Sequence, residues 1–247
     1  MSRGYRVFGL EGIPEVEPGH DLAALLAEAA ARSGRLESGD VVVVAQKVVS
    51  KAEGRIVRLD EIVPSERASE LAGDRDPRHT QAILDETERI VRSRPPLLIS
   101  ETRHGFVCAS AGVDASNAKG AGTVILLPLD PDASAARLRA GLRERTGVDV
   151  GVLVSDSFGR AWRQGTTGVA LGVAGVTAVL DLNGRSDEAG YELHGTQLAI
   201  ADELAAAAEL VLGKLERVPA AVIRGLRVAG NGTGQDLVMP PDRDLFR

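Results

Sequence analysis

Three short runs of polar side chains could do chemistry, and each sits just beyond an apolar, strand-like stretch. The first runs from Gln46 to Lys51, after the β-branched residues 41–44. Lys51, with Lys47 and Arg55, concentrates positive charge that is either a phosphate grip or a solvated basic cluster. The second places Asp114 and Asn117 three residues apart. A carboxylate on a short turn is a hard oxygen ligand suited to Mg2+ or Mn2+, and equally an Asx-turn or helix cap. The third holds Asp156 and Ser157, then Arg160 and Arg163 around the only tryptophan, Trp162. Asp156 and Ser157 offer adjacent oxygens for a metal. Arg160 and Arg163 are a candidate catalytic pair, because guanidinium forks suit carboxylates and phosphates. They share one face if this turn is helical. Trp162 either stacks on an aromatic ring or plugs the core.

Several common chemistries lack their residues. No G-x-x-x-x-G-K-[ST] phosphate loop occurs. The run Gly230, Gly232 and Gly234 opens no helix and reads as a turn. His20, His79, His104 and His194 lack zinc-site spacing. Cys108 lies in an apolar stretch and reads as a small core residue. There is no G-x-S-x-G nucleophile elbow.

The elements that must position these residues follow from periodicity. Strands are expected at 5–10, 41–44, 97–100, 106–111, 123–127, 148–154 and 220–223, with Asp156 just past the end of its strand. Helices are expected at about 21–32, 65–71, 77–91, from Asp132 or Ser134 to 146, and at 198–215. The stretch 169–180 is apolar and glycine-interrupted, and periodicity does not assign its type. Strands and helices mix without a βαβ repeat, so the fold class is α+β, with mixed sheets and flanking helices. Residues 1–247 read as one unit, in which the charged stretch 61–96 forms a semi-independent helical lobe.

Composition bounds the rest. A net charge of -6 argues against nucleic-acid binding, so a polyanionic substrate must be held by local features. With one cysteine, no internal disulfide forms, and a cytoplasmic location is expected. Neither a signal segment nor a membrane span is expected. Aromatic residues are only 3% of the chain, which leaves apolar burial short in a way that dimerisation would remedy.

The runs 46–55, 102–108, 111–117, 155–163, 190–194, 201–205 and 244–247 resemble, in order, signature segments of the coenzyme F-420:L-glutamate ligases. The resemblance implies a GTP-dependent ligase on a family-specific, intertwined homodimeric α+β fold. Its substrates would be L-glutamate and the carboxylate of a deazaflavin coenzyme precursor, joined through an acyl phosphate, with further γ-linked additions left open. It implies two divalent ions, Mg2+ or Mn2+, and a monovalent cation such as K+. The metal ligands fall on Asp114 and Asp156, with Ser157 near the second ion. Nucleotide contacts fall on Ile13, Pro14, Glu15, Val16, Gln46, Lys51, Asn117 and the stretch 212–219, which includes Gly213 and Lys214. Many members carry Gln where this chain has Lys214. A protonated lysine cannot ligate a metal, and pairing with a phosphate is the role left to it. The nitroreductase-like C-terminal domain of some bacterial relatives is not expected here. The rival readings are a glutamate ligase acting on another acceptor and a non-catalytic nucleotide-binding regulator.

Overall fold

The computed structural model describes residues 4–115 and 122–246, so Asn117 lies outside the described residues. The chain opens with β1 (Arg6–Gly9), α1 (Leu22–Ser33), β2 (Val41–Ala45) and α2 (Gln46–Ala52). It then builds a smaller lobe from β3 (Ile56–Arg58), α3 (Glu66–Ala72), α4 (Pro77–Asp85), β4 (Thr87–Arg94), β5 (Leu97–Thr102), β6 (Val107–Ala109) and β7 (Thr123–Ile125). It returns through α5 (Pro131–Thr146), the hairpin β8 (Gly151–Arg160) and β9 (Arg163–Ala174), and the ribbon β10 (Leu180–Asp181) with β11 (Gln197–Leu198). Helix α6 (Ile200–Leu212) and β12 (Ala220–Arg224) complete it.

The main sheet has the order β1-β12-β2-β8-β9, and only β2 and β8 pair in parallel. Val41, Val42, Val43 and Val44 are all buried because both faces of their strand are covered. Leu22 and Leu26 of α1 and Leu138 and Leu142 of α5 pack on the face of Val42, Val44 and Val152. Leu204, Ala205 and Ala208 of α6 pack on the face of Val43, Leu153 and Ile223. The close approach of both helices to β9 depends on two glycines. A Cβ at Gly168 would stand 2.4 Å from the Ala205 carbonyl oxygen, and one at Gly172 would stand 2.0 Å from that of Pro131. Truncating the fully buried Leu26 to Ala would cost roughly 2–5 kcal/mol.

The smaller lobe has its own core of Leu59, Ile83, Leu98 and Val124. A cluster of Phe106, Leu127 and Leu171, joined by Phe158, seals it to the hairpin.

Four local expectations change. The helix expected over 77–91 ends at Asp85, and Thr87–Arg94 is a strand paired with β5. Thr87 Oγ1 closes the helix by donating to the Ile83 carbonyl at 2.6 Å, and the β-branched Ile90 and Val91 then suit the pleat. The strand expected to stop at 154 runs to Arg160, so Asp156 lies inside it. Arg160 and Arg163 face each other across a hairpin turn rather than along a helix. Trp162 is no core plug: it is 83% exposed, with φ of 58°. The undetermined stretch after 169 is strand as far as Ala174. The run Gly230, Gly232 and Gly234 is a strap on β9 and the segment after it. A Cβ at Gly234 would lie 2.1 Å from the Leu171 carbonyl oxygen.

Candidate active site

The parallel pairing of β2 and β8 sends both strands out at the same edge of the sheet. Their last paired residues are Ala45 and Ser155. Beyond them β2 turns directly into α2, while β8 continues with only β9 beside it. Asp156 and Ser157 therefore sit where the hairpin leaves the shelter of β2. Rigid strand ends of this kind hold side chains with little entropy left to lose.

Asp114 reaches the same place from the smaller lobe. Its backbone pairs with Ile125 in both directions, at 3.0 and 2.8 Å, which fixes the carboxylate's origin. Lys47, in the first turn of α2, places its Nζ 2.6 Å from Asp114 Oδ2. Burial pushes the Asp156 carboxyl up to about 6 and Asp114 adds to the rise, while the Ser157 N–H, Lys47 and Lys214 oppose it. Asp114, Lys47 and Lys214 thus lie within electrostatic reach of one buried acid. His79, on α4, is lowered chiefly by burial and then by Arg75, with Asp114 pulling the other way.

Adjacent strand residues project to opposite faces, and Ser157 accordingly turns toward α6. Its Oγ donates to Glu209 Oε1 at 2.6 Å, and its N–H donates to Asp156 Oδ1 at 2.8 Å. Gly213 caps α6 at φ of 58° and delivers Lys214 to the same region.

The basic run on α2 is not a solvated cluster. Lys51 is buried, and its Nζ donates to Glu15 Oε1 at 2.5 Å. Glu15 and Pro14 are exposed, while Ile13 and Val16 tuck into the core beside α1. Gln46 is buried and accepts from Ser50 Oγ at 2.9 Å, and among the described residues its Nε2 has no hydrogen-bond partner. The segment 13–16 and Lys51 therefore meet through Glu15, and Gln46 opens the helix that carries Lys51. Asp114, Asp156, Ser157 and Lys214 form a second group around the β8 edge. Arg160 and Arg163 belong to neither: they stand exposed at the hairpin tip, with Trp162 against Phe246 at 5.1 Å between ring centres. The tip lies roughly 13 Å along the strand from Asp156. Cys108 is buried and its thiol is pushed up to about 12, mainly by burial, so it is not a thiolate nucleophile.

The donor set around Asp114, Asp156 and Ser157 is all oxygen, which suits Mg2+ or Mn2+ rather than a softer ion. The Lys47 ammonium on Asp114 is a protein cation standing in this acidic site. Among the described residues no three His, Cys, Asp or Glu side chains form a metal-holding group. A Mg2+-type ion needs only one or two carboxylates, its shell being completed by water and substrate phosphate. The residues present fit such a group.

Sequence reasoning gave no role to Glu209, and it did not pair Lys47 with Asp114 or Glu15 with Lys51. Glu209 did carry a signal: after Asp202 and Glu203 in the first turn, it is the one acid in the rest of α6.

Comparison with known sequences decides the family. The profile described as F420-0:Gamma-glutamyl ligase matches residues 12–225. This chain belongs to that family. A relative from Methanopyrus kandleri named Coenzyme F420:L-glutamate ligase is 48% identical, over 99% of both chains. Relatives of the same name from Methanothermobacter thermautotrophicus and Methanocaldococcus jannaschii are each 44% identical. They cover 99% and 100% of this chain, and 99% and 98% of their own lengths. The matched region contains every residue of both groups that lies on the described structure.

Proposed function

We propose that this chain is a GTP-dependent ligase that adds L-glutamate to the carboxylate of the deazaflavin coenzyme F-420 precursor. Near full-length identity of 44–48% to relatives named for that ligation supports the reaction class. The observation that carries the site is the convergence of Asp114 and Asp156, from two lobes, on one cation-bearing edge.

A carboxylate is a poor electrophile, so the reaction needs an activated acyl group. The γ-phosphorus–oxygen bond of GTP breaks as the acceptor carboxylate oxygen takes the phosphoryl group and GDP leaves. The glutamate nitrogen then attacks the acyl carbon, the carbon–oxygen bond breaks with loss of phosphate, and the ammonium proton goes to solvent. Phosphoryl transfer depends chiefly on positioning and charge. Asp114 and Asp156 would hold divalent ions that neutralise the triphosphate, with Ser157 beside the second. Lys51 would bind a phosphate oxygen and exchange Glu15 for it, because a carboxylate and a phosphate repel each other at one ammonium. Gln46 would give its unpartnered amide to the nucleotide. Lys214 supplies further positive charge near Asp156. Arg160 and Arg163, exposed in the single chain, are reserved for the acidic substrates. The exposed Trp162 and Phe246 fit a homodimer contact at the hairpin tip.

The direct test incubates the protein with GTP, Mn2+, glutamate and the unglutamylated coenzyme. The expected product is heavier by one glutamyl unit, with GDP formed in equal amount. No mass gain, or a gain that occurs without GTP, would overturn the reading.

A further inference from the structure

We infer that Glu209 is the positioning residue for the second divalent ion, and that it acts through Ser157. This rests on the metal-dependent reading above and goes beyond it, since that reading gives Glu209 no part. The Ser157 hydroxyl spends its single proton on Glu209 Oε1 at 2.6 Å. Its lone pairs are thereby turned away from α6. A serine hydroxyl is a weak, neutral ligand whose orientation is otherwise free, and accepting its proton fixes that orientation and raises its basicity. Glu209 would also bring a negative charge to an ion whose nearest assigned ligand, Ser157, is neutral. Lys214 cannot supply that charge, and its own charge already reaches Asp156.

The fold makes Glu209 well suited to the task. It stands in the last turn of α6, on a helix anchored to the sheet by Leu204, Ala205, Ala208 and Leu212. Its backbone carbonyl accepts the Gly213 N–H at 3.1 Å, which starts the turn carrying Lys214. One residue thus ties Ser157, the end of α6 and the segment after it into a single arrangement. Asp156 Oδ1 instead accepts the Ser157 N–H at 2.8 Å, within electrostatic reach of Lys47 and Asp114.

The test measures Mn2+ binding by electron paramagnetic resonance, with GTP present and no acceptor. The variants are Glu209→Gln, Ser157→Ala and the double variant. Wild-type protein is expected to take up two ions. Glu209→Gln should weaken one of them by about 10–100-fold, the range for removing a residue that orients a ligand. The double variant should be no weaker than Ser157→Ala alone, because one residue acts through the other. GTP affinity without metal should not change. Ser157→Ala removes only a hydroxyl from a partly exposed position, so it reports even if the Gln variant does not fold. Two ions bound unchanged by Glu209→Gln, or losses that add in the double variant, would overturn the inference. Wild-type protein that takes up no Mn2+ would instead overturn the metal reading beneath it.

Discussion

Two stretches of one hairpin, four residues apart, occupy opposite environments. Asp156 is buried enough that its carboxyl rises to about 6, and it lies in a field of two lysines and a second aspartate. Arg160 and Arg163 are exposed and face each other at the tip, where like charges repel. The contrast separates positions that are organised in the single chain from positions that are not. At the strand exit, β2, α2, α6 and the smaller lobe all contribute neighbours. At the tip, among the described residues, the one ring against Trp162 is that of Phe246.

The contrast breaks most readily at the acids. Asp114→Asn and Asp156→Asn should each lower the ligation rate by a hundredfold or more, on the order of 3 kcal/mol in the barrier. An amide keeps the shape and loses the charge a hard cation needs. Steady-state rates near wild type at saturating Mn2+ would remove both acids from the metal site.

Lys51 should come next. Lys51→Ala is expected to weaken GTP binding by about 10–100-fold, in keeping with the loss of a charge-assisted contact. Glutamate binding should stay unchanged. Glu15→Gln should move GTP affinity the other way by a few-fold, since it frees the ammonium that Glu15 holds. Calorimetry in which neither variant alters GTP affinity would leave the pair with a purely structural role.

The third effect is a pH dependence. Asp156 binds its proton more tightly in the native chain than its ordinary value of 3.8. The stability this lends is complete below about pH 4, is lost as pH rises through about 6, and is level beyond. Metal binding must displace the same proton, so Mn2+ affinity should fall by up to tenfold per pH unit below about 6. Asp156→Asn should abolish the stability slope and raise the melting temperature of the metal-free protein at pH 7.5, by about 2–4 °C for each 1 kcal/mol recovered in a chain of this size. A flat Mn2+ affinity between pH 5 and 7 would contradict this.

The smallest effects belong to the tip. Arg160→Gln and Arg163→Gln should leave the melting temperature within about 2 °C of wild type, because exposed substitutions rarely exceed 0.5 kcal/mol. Acceptor KM should rise several-fold with little change in GTP binding. Light scattering should give twice 25.9 kDa, and Trp162→Ala should shift the protein toward a single chain. An active monomer with an unaffected Trp162→Ala variant would place the tip outside both the site and the assembly.

The unbroken β-branched run Val41 to Val44 reads as a strand covered on both faces, and it is the centre of the sheet. Asp21 as a cap and Gly34 as a stop made α1 legible, and the resemblance in the chain's motifs gave the family. The polar runs after strands were also readable, because residue type survives without coordinates. Tertiary structure decided which of those runs meet. Asp114 and Lys47 are 67 positions apart, and only the docking of the smaller lobe brings them to 2.6 Å. Thr87–Arg94 carries enough helical periodicity to mislead, and only its pairing with β5 makes it a strand. Asp156 and Ser157 look interchangeable in sequence, yet the two-residue repeat of β8 turns one toward Asp114 and the other toward Glu209. Local sequence fixes what a side chain can do; the register of a strand and the closure of two lobes fix what it faces.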